Sequence, residues 1–478
     1  MKKISLLWVV FLSFFMIIGC DDQTDNDVPE NLEVYDFVWK GMNLYYLWQE
    51  DVANLADDRF ANQGELNNFL SGYSDPAVLF NSLRTDAAID RFSVIYSDYT
   101  VLEGVLSGTT KNNGVDFELR YKPGSTTDIF GWVRYILPNS DASDQNIQRG
   151  DLFYAVNGTQ LTVDNYRTLL GADTYTLNLA TYDGGNITPN GESVTLTKAV
   201  YSENPVYMTS VIEDGTHKIG YLVYNGFYAN YESQLNNAIG QLQSQGITDL
   251  VLDLRYNSGG SVATATRLAS MITGQFNGQL FAKEQWNAKA QAYYESQNPG
   301  ALVNNFTNNI GNGAALNSLN LSKVYVLTTK STASASELVI NGLAPYIDVV
   351  QIGDNTVGKN VGSVTLYDSE DFGREGRNPD HRYAMQPIVL KIVNKNGFGD
   401  YQENGLTPDY PLLENLGNLG VLGDANEPYL STAIGLITAD GRKVRQNPER
   451  QPQRFKDAKS IDGLRDQMYV DKPLKTRL

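Results

Sequence analysis

Ser334 and Lys359 lie twenty-five positions apart, one in the run Ser331-Thr332-Ala333-Ser334-Ala335-Ser336-Glu337 and the other in Thr356-Val357-Gly358-Lys359. A serine hydroxyl is a weak nucleophile unless a neighbouring base takes its proton. Histidine usually does this, but the chain holds only His217 and His381, neither in a segment built for catalysis. A lysine base is the economical alternative. Its reference pKa of about 10.4 leaves roughly one part in a thousand as free amine near neutral pH. Burial that lowers it by about three units, roughly 4 kcal/mol against the charged form, would make it competent. Val357 and Val361 supply an apolar wall for such burial. A third loop, Asp253-Leu254-Arg255-Tyr256-Asn257-Ser258-Gly259-Gly260, brings two glycines whose N–H groups can approach a substrate carbonyl. Ser334 also stands at a helix start, where the Ala335 N–H and the helix dipole favour an oxyanion. Ser334-x-x-Glu337 reads as a capping box as well, and the two roles can coexist. Nucleophile, base and oxyanion donors are the minimum for acyl transfer.

Three strands must carry these loops. From residue 219 onward strand and helix patterns alternate: strands at 219–224, 250–254, 324–328 and 349–352, helices at 231–242, 262–272 and 337–343. The near-continuous apolar run Leu250-Val251-Leu252-Asp253-Leu254 suits a strand buried in a parallel sheet. This rhythm predicts an α/β domain with active groups at the carboxyl ends of its strands. Before it, residues 30–103 carry a helical pattern, with Val34, Phe37, Val38, Met42 and Tyr45 at mostly three- or four-residue spacing, and predict a small structural domain. Residues 104–202 change to β-type signals, with strand-like runs at 115–121, 131–137, 174–182 and 193–200. The α/β domain spans 203–423. Residues 424–478 predict a helix at 429–437 and a basic tail that packs loosely.

Composition removes several other activities. A formal charge of −18 argues against a nucleic-acid partner, which needs a basic footprint. One cysteine and two distant histidines give no zinc-ligand spacing, so neither a metal nor a cofactor is expected. No carboxylate pair is singled out for glycoside hydrolysis. Gly353 to Lys359 imitates a phosphate-binding loop, but Asn360 replaces the magnesium-binding Ser or Thr and a strand pattern follows where a helix should begin. Met1-Lys2-Lys3 followed by an apolar run through Ile18 reads as a secretory signal over 1–20, too short for a spanning helix. Cys20, the sole cysteine, follows Gly19 directly and resembles a bacterial lipobox, implying lipid attachment there. Residues 21–29 form an acidic tether. The expected location is the cell envelope.

Two resemblances extend this reading. Within 104–202, Leu137-Pro138-Asn139-Ser140-Asp141-Ala142-Ser143 and Arg149-Gly150-Asp151-Leu152-Phe153-Tyr154-Ala155-Val156-Asn157-Gly158 resemble a PDZ domain, which adds a peptide strand to a sheet edge. The loop Asn112-Asn113-Gly114 stands where a carboxylate cradle is expected, without the usual Gly-Leu-Gly-Phe character. Residues 104–412 as a whole resemble the C-terminal processing, or tail-specific, peptidases, a Ser/Lys family with an inserted PDZ domain. The motifs are Thr332-Ala333-Ser334-Ala335-Ser336-Glu337, Gly358-Lys359, Asp253 to Gly260, and Gly405-Leu406-Thr407-Pro408-Asp409. The resemblance implies a ClpP/crotonase-like βαβ core, Ser334 as nucleophile, Lys359 as base, oxyanion donors from Ala335 with Gly259 or Gly260, and unfolded or C-terminally marked polypeptides as substrates. It implies a C-terminal peptide as the partner of the PDZ-like domain. Asn360 replaces a glycine, Ser363 stands where a lysine-orienting glutamine is usual, and Pro345 replaces an aspartate. Ser363 is the candidate to orient Lys359. The competing reading is a peptide-binding envelope lipoprotein that keeps the fold without catalysis.

Overall fold

The computed structural model describes residues 28–438, 451–461 and 466–470. The signal segment, Cys20 and most of the acidic tether lie outside the described residues.

Strict alternation of buried side chains builds the central sheet. Along its strands Leu222, Tyr224, Leu250, Leu252, Val324 and Val326 face one apolar layer, while Ile219, Tyr221, Val223, Val251, Tyr325 and Leu327 face another. Both faces are covered, which requires apolar residues on both sides of each strand. The strand order is Val206–Asp214, His217–Tyr224, Asp249–Asp253, Lys323–Thr328, Asp348–Gly353, Tyr410–Pro411. The first pair is antiparallel and the remainder run parallel. Helices Glu232–Ser244, Val262–Thr273 and Ala335–Leu343 cover one face, and Pro428–Ile437 covers the other.

A second sheet, not anticipated from sequence, orders Gly260–Ser261, Met468–Tyr469, Val361–Ser363, Ile388–Asn394, Leu280–Trp286 and Val303–Asn305. It joins the glycine loop and the lysine strand through residues near the C-terminus.

The N-terminal region is helical through Glu33–Tyr45, Gln63–Leu70 and Pro76–Ser82. It is not a detached unit. Val94–Tyr96 pairs antiparallel with Ala384–Gln386, and the buried face of Glu33–Tyr45 joins the main core. Helix Tyr99–Leu106 crosses the expected boundary at 103.

The β-rich module has its own core, with antiparallel strands Val115–Tyr121, Ile129–Ile136, Leu152–Val156, Thr174–Asp183 and Asn186–Thr197 and the short helix Tyr166–Gly171. Its edge is occupied. Arg454–Asp457 adds antiparallel to Val115–Tyr121.

The expectation of a loosely packed tail is therefore corrected for its described parts. Asp457, Ser460, Met468, Tyr469 and Val470 are buried. Polar composition suggested a solvated segment, but strand addition satisfies its backbone, and the few apolar residues Phe455, Ile461 and Met468 pack into existing cores.

Candidate active site

Ser334 opens helix Ala335–Leu343 with φ 65° and ψ −114°. A left-handed φ at a non-glycine residue costs about 1–3 kcal/mol and persists only where its surroundings enforce it. Here the enforcement is visible. The Ala333 N–H donates to the Asn257 carbonyl at 3.1 Å, and the Ser334 N–H donates to Glu337 Oε2 at 2.6 Å. The hydroxyl is buried and has no hydrogen-bond partner.

Glu337 reaches further than a helix cap. Its Oε2 also accepts from the Lys359 N–H at 2.9 Å, and its Oε1 accepts from the Gly358 N–H at 2.7 Å and from the Thr356 hydroxyl. One buried carboxylate thus fastens the backbone at Ser334 to the backbone at Gly358 and Lys359. Burial pushes its pKa up to about 7, opposed by the four groups that donate to it.

Lys359 is fully buried and its Nζ has no hydrogen-bond partner. Burial drives its pKa down to about 7, outweighing the carboxylates of Asp466, Asp90 and Glu337, which favour the charge. The Phe92 ring lies 4.6 Å from Nζ, and Arg91 donates to the Gly358 carbonyl at 2.8 Å. Near neutral pH a large share of this lysine is a free amine. Hydroxyl and amine are not hydrogen-bonded to each other, a common situation for catalytic groups before substrate is bound.

The glycine loop is organised by two buried polar residues. Arg255 pairs with Asp253 at 2.6 Å and with Glu427 at 2.7 Å, anchoring the loop beneath the sheet. Asn257 turns it: its Nδ2 donates to the Tyr224 carbonyl and its Oδ1 accepts from the Gly259 N–H at 2.8 Å. That last bond removes Gly259 as a free donor. The Gly260 N–H meets no side chain of its own loop and donates instead to the Gln467 main-chain carbonyl at 2.5 Å, where Gly260–Ser261 pairs with Met468–Tyr469. Gly259 has φ 104°, and a Cβ there would lie 2.6 Å from Ser334 Cβ, so only glycine lets the loop approach Ser334. Ala335 is the first residue of its helix, where N–H groups have no intrahelical acceptor.

Residues 218–412 match Peptidase family S41, and residues 33–94 match the Peptidase S41 N-terminal domain, together more than half of the chain. It belongs to peptidase family S41. The chain is 25% identical over 312 residues to a carboxyl-terminal-processing protease of Picosynechococcus, covering 64% of this chain and 66% of that protein. It is 27% identical over 308 residues to the chloroplastic carboxyl-terminal-processing peptidase 2 of Arabidopsis thaliana, covering 63% and 53%. In both cases the S41 chain spans less than two thirds of the relative's length. A solved structure from Bacteroides fragilis, assigned to the S41 proteases, superposes with a TM-score of 0.65 at 27% identity, covering 84% of this chain and 97% of that one.

Within this S41 chain the role expected of Ser363 is corrected as well. Ser363 does not orient Lys359: its hydroxyl is occupied with Gln386 Oε1 at 3.2 Å and the Met468 carbonyl at 3.1 Å. The lysine is held instead through its backbone by Glu337 and walled by Phe92. Both histidines pair away from the site, His217 with Asp249 at the opposite end of the core sheet and His381 with Asp368. The proposed cradle loop is also closed on itself, because Asn112 Oδ1 accepts from the Gly114 N–H and Asn113 Oδ1 from the Val115 N–H. Phe92, Arg91 and Asn257 also shape the site. Asn257 lay inside a recognised motif, but no local signal ties Phe92 or Arg91 to a lysine more than 260 positions away.

Proposed function

We propose that this chain is a serine endopeptidase of the C-terminal processing type, acting on unfolded or C-terminally marked polypeptides through Ser334 and Lys359. The observation that carries it is the presence of two buried, unpartnered groups, a serine hydroxyl on a strained backbone turn and a lysine amine poised near neutral pH, whose backbones converge on one oxygen of Glu337. Neutral Lys359 takes the Ser334 proton as Oγ attacks the peptide carbonyl. The N–H groups of Gly260 and Ala335 receive the developing oxyanion. The lysine ammonium then protonates the leaving amine, and water, deprotonated by the same amine, releases the acyl group and restores the serine.

In this reading the core is ClpP/crotonase-like and the β module PDZ-like, supported by its strand-adding edge. The lipobox places Cys20 as a lipid anchor to the cell envelope, a claim resting on sequence alone. Loss of lipid labelling in Cys20→Ser tests it. For the catalytic proposal, a serine-reactive acylating probe should label Ser334 in the chain from Asp21, and an unstructured peptide should be cleaved. Labelling elsewhere, or cleavage that survives Ser334→Ala, contradicts it.

A further inference from the structure

Residues 454–461 and 466–470 pack where ordinary tail packing would not put them. Arg454–Asp457 forms an added strand on Val115–Tyr121, the edge a peptide ligand would use. The Phe455 ring inserts between Tyr121 and Tyr166, with centroids 5.3 Å from each. Arg454 pairs with Glu118 at 3.2 Å and Asp457 at 2.9 Å. Burial alone would raise the Glu118 carboxyl, but Arg120, Arg134 and Arg454 overcome that and hold it at about 2, so the pairing is charged throughout the physiological range. Arg134 and Arg454 both donate to Ser331 Oγ at 2.6 Å, three residues before the nucleophile. The module's edge and the nucleophile loop therefore share one ionic cluster.

The segment then enters the cleft. Lys459 donates to the Tyr256 carbonyl at 3.1 Å and to Ser258 Oγ at 3.3 Å, gripping the glycine loop. Gln467 places its carbonyl oxygen on the Gly260 N–H, the position assigned above to a substrate's oxyanion. Met468–Tyr469 completes the sheet between Gly260–Ser261 and Val361–Ser363, in parallel register with both. Gln467 thus brings an extended chain, aligned by strand pairing, with its carbonyl on the N–H that a substrate's oxyanion would need.

The direction of this path bears on specificity. The chain does not end at the module's edge: residues 458–461 continue past it, with Lys459 on the glycine loop, and residues 466–470 lie beside Gly260. The self-closed Asn112-Asn113-Gly114 loop agrees, since the Gly114 and Val115 amides are spent on side chains rather than presented to a carboxylate.

We propose that the β module's edge binds internal extended segments bearing a basic residue followed by an aromatic one, that Arg454-Phe455 is the chain's own copy of that signal, and that residues 454–461 and 466–470 hold the enzyme in a self-occupied state which substrate must displace. This rests on the peptidase reading for its consequence, though not for its binding site.

The test uses the full mature chain. In a Ser334→Ala background, Phe455→Ala and Arg454→Ala should each speed hydrogen exchange of the Val115–Tyr121 amides by about tenfold or more, because the paired edge opens. A labelled peptide with the sequence of residues 451–461 should bind these variants about tenfold more tightly than the parent, as expected when a state populated about one time in ten becomes dominant. Its C-terminal amide should bind as well as its free acid, and a Phe-to-Ala version should bind worse. With Ser334 intact, both variants should acylate about tenfold faster. Unchanged exchange in both variants, no gain in peptide binding, or binding of the free acid alone overturns the proposal. Failure of every chain to acylate would instead overturn the peptidase reading, with exchange and peptide binding still deciding the self-occupied state.

Discussion

Ser334 takes its position from nearby groups in its own domain: Glu337 three residues on, and the glycine loop through the Asn257 carbonyl. Lys359 depends on stretches scattered over the whole chain, with Phe92 beneath its amine, Arg91 on the preceding carbonyl, Glu337 on its backbone and Asp466 nearby. The contrast follows from what each group needs. A nucleophile needs a direction, which one strained turn supplies. A lysine base needs removal from water on every side, and no single segment can enclose it.

Breaking the nucleophile or the base outright should have the largest effect. Ser334→Ala and Lys359→Ala should each lower kcat/KM for an unstructured peptide by about 10⁴-fold or more, and the double variant should lose little beyond either single one, since the two act as a unit. Steady-state kinetics of the three variants checks this. Glu337→Ala attacks the link between the two regions. It strands the N–H groups of Ser334, Gly358 and Lys359, each unmet donor costing about 1–3 kcal/mol. Denaturant melts should show a loss of several kcal/mol, and Glu337→Gln, which keeps an acceptor oxygen, should recover part of it.

The base's surroundings give subtler effects. Phe92→Ala should admit water to the lysine, raise its pKa by about one unit and reduce activity near pH 7 by about tenfold, with little change at pH 9. A pH series on the variant separates this from a misfolded site, which would lose activity at every pH. Lys359→Met should stabilise the protein while abolishing catalysis. In the unfolded chain the amine titrates near 10.5, and in the folded protein near 7. Below pH 7 the fold therefore carries a buried charge that the unfolded chain solvates freely, and this penalty fades as pH climbs from about 7 toward 10.5. The gain from Lys359→Met should be greatest near pH 5 to 6, on the order of 4 kcal/mol, and should vanish above the unfolded value. Thermal melts across that range measure it.

The same contrast explains what could be read from sequence. The core strands and helices were legible because their apolar periods are strong: 250–254 was expected and Asp249–Asp253 is found, 337–343 was expected and Ala335–Leu343 is found. Ser334, the glycine loop and Lys359 were visible as motifs. The roles of Phe92 and Asn257 were not, because burial of Lys359 and closure of the Gly259 amide are properties of the assembled fold. Ser363 drew attention by position alone, and its hydroxyl is bound elsewhere. The tail misled through composition: a segment rich in Gln and Arg can still be buried when strand addition and carboxylates such as Glu118 and Asp457 satisfy it.

The central claim is that Lys359 is a near-neutral base for Ser334, and the pH dependence of Ser334 acylation by a pH-insensitive probe tests it most directly. The rate should rise with an apparent pKa close to 7 and level off by about pH 9, and Lys359→Arg, which stays charged, should remove the rise. A rate that keeps climbing toward pH 10, or a profile that Lys359→Arg leaves unchanged, would contradict it.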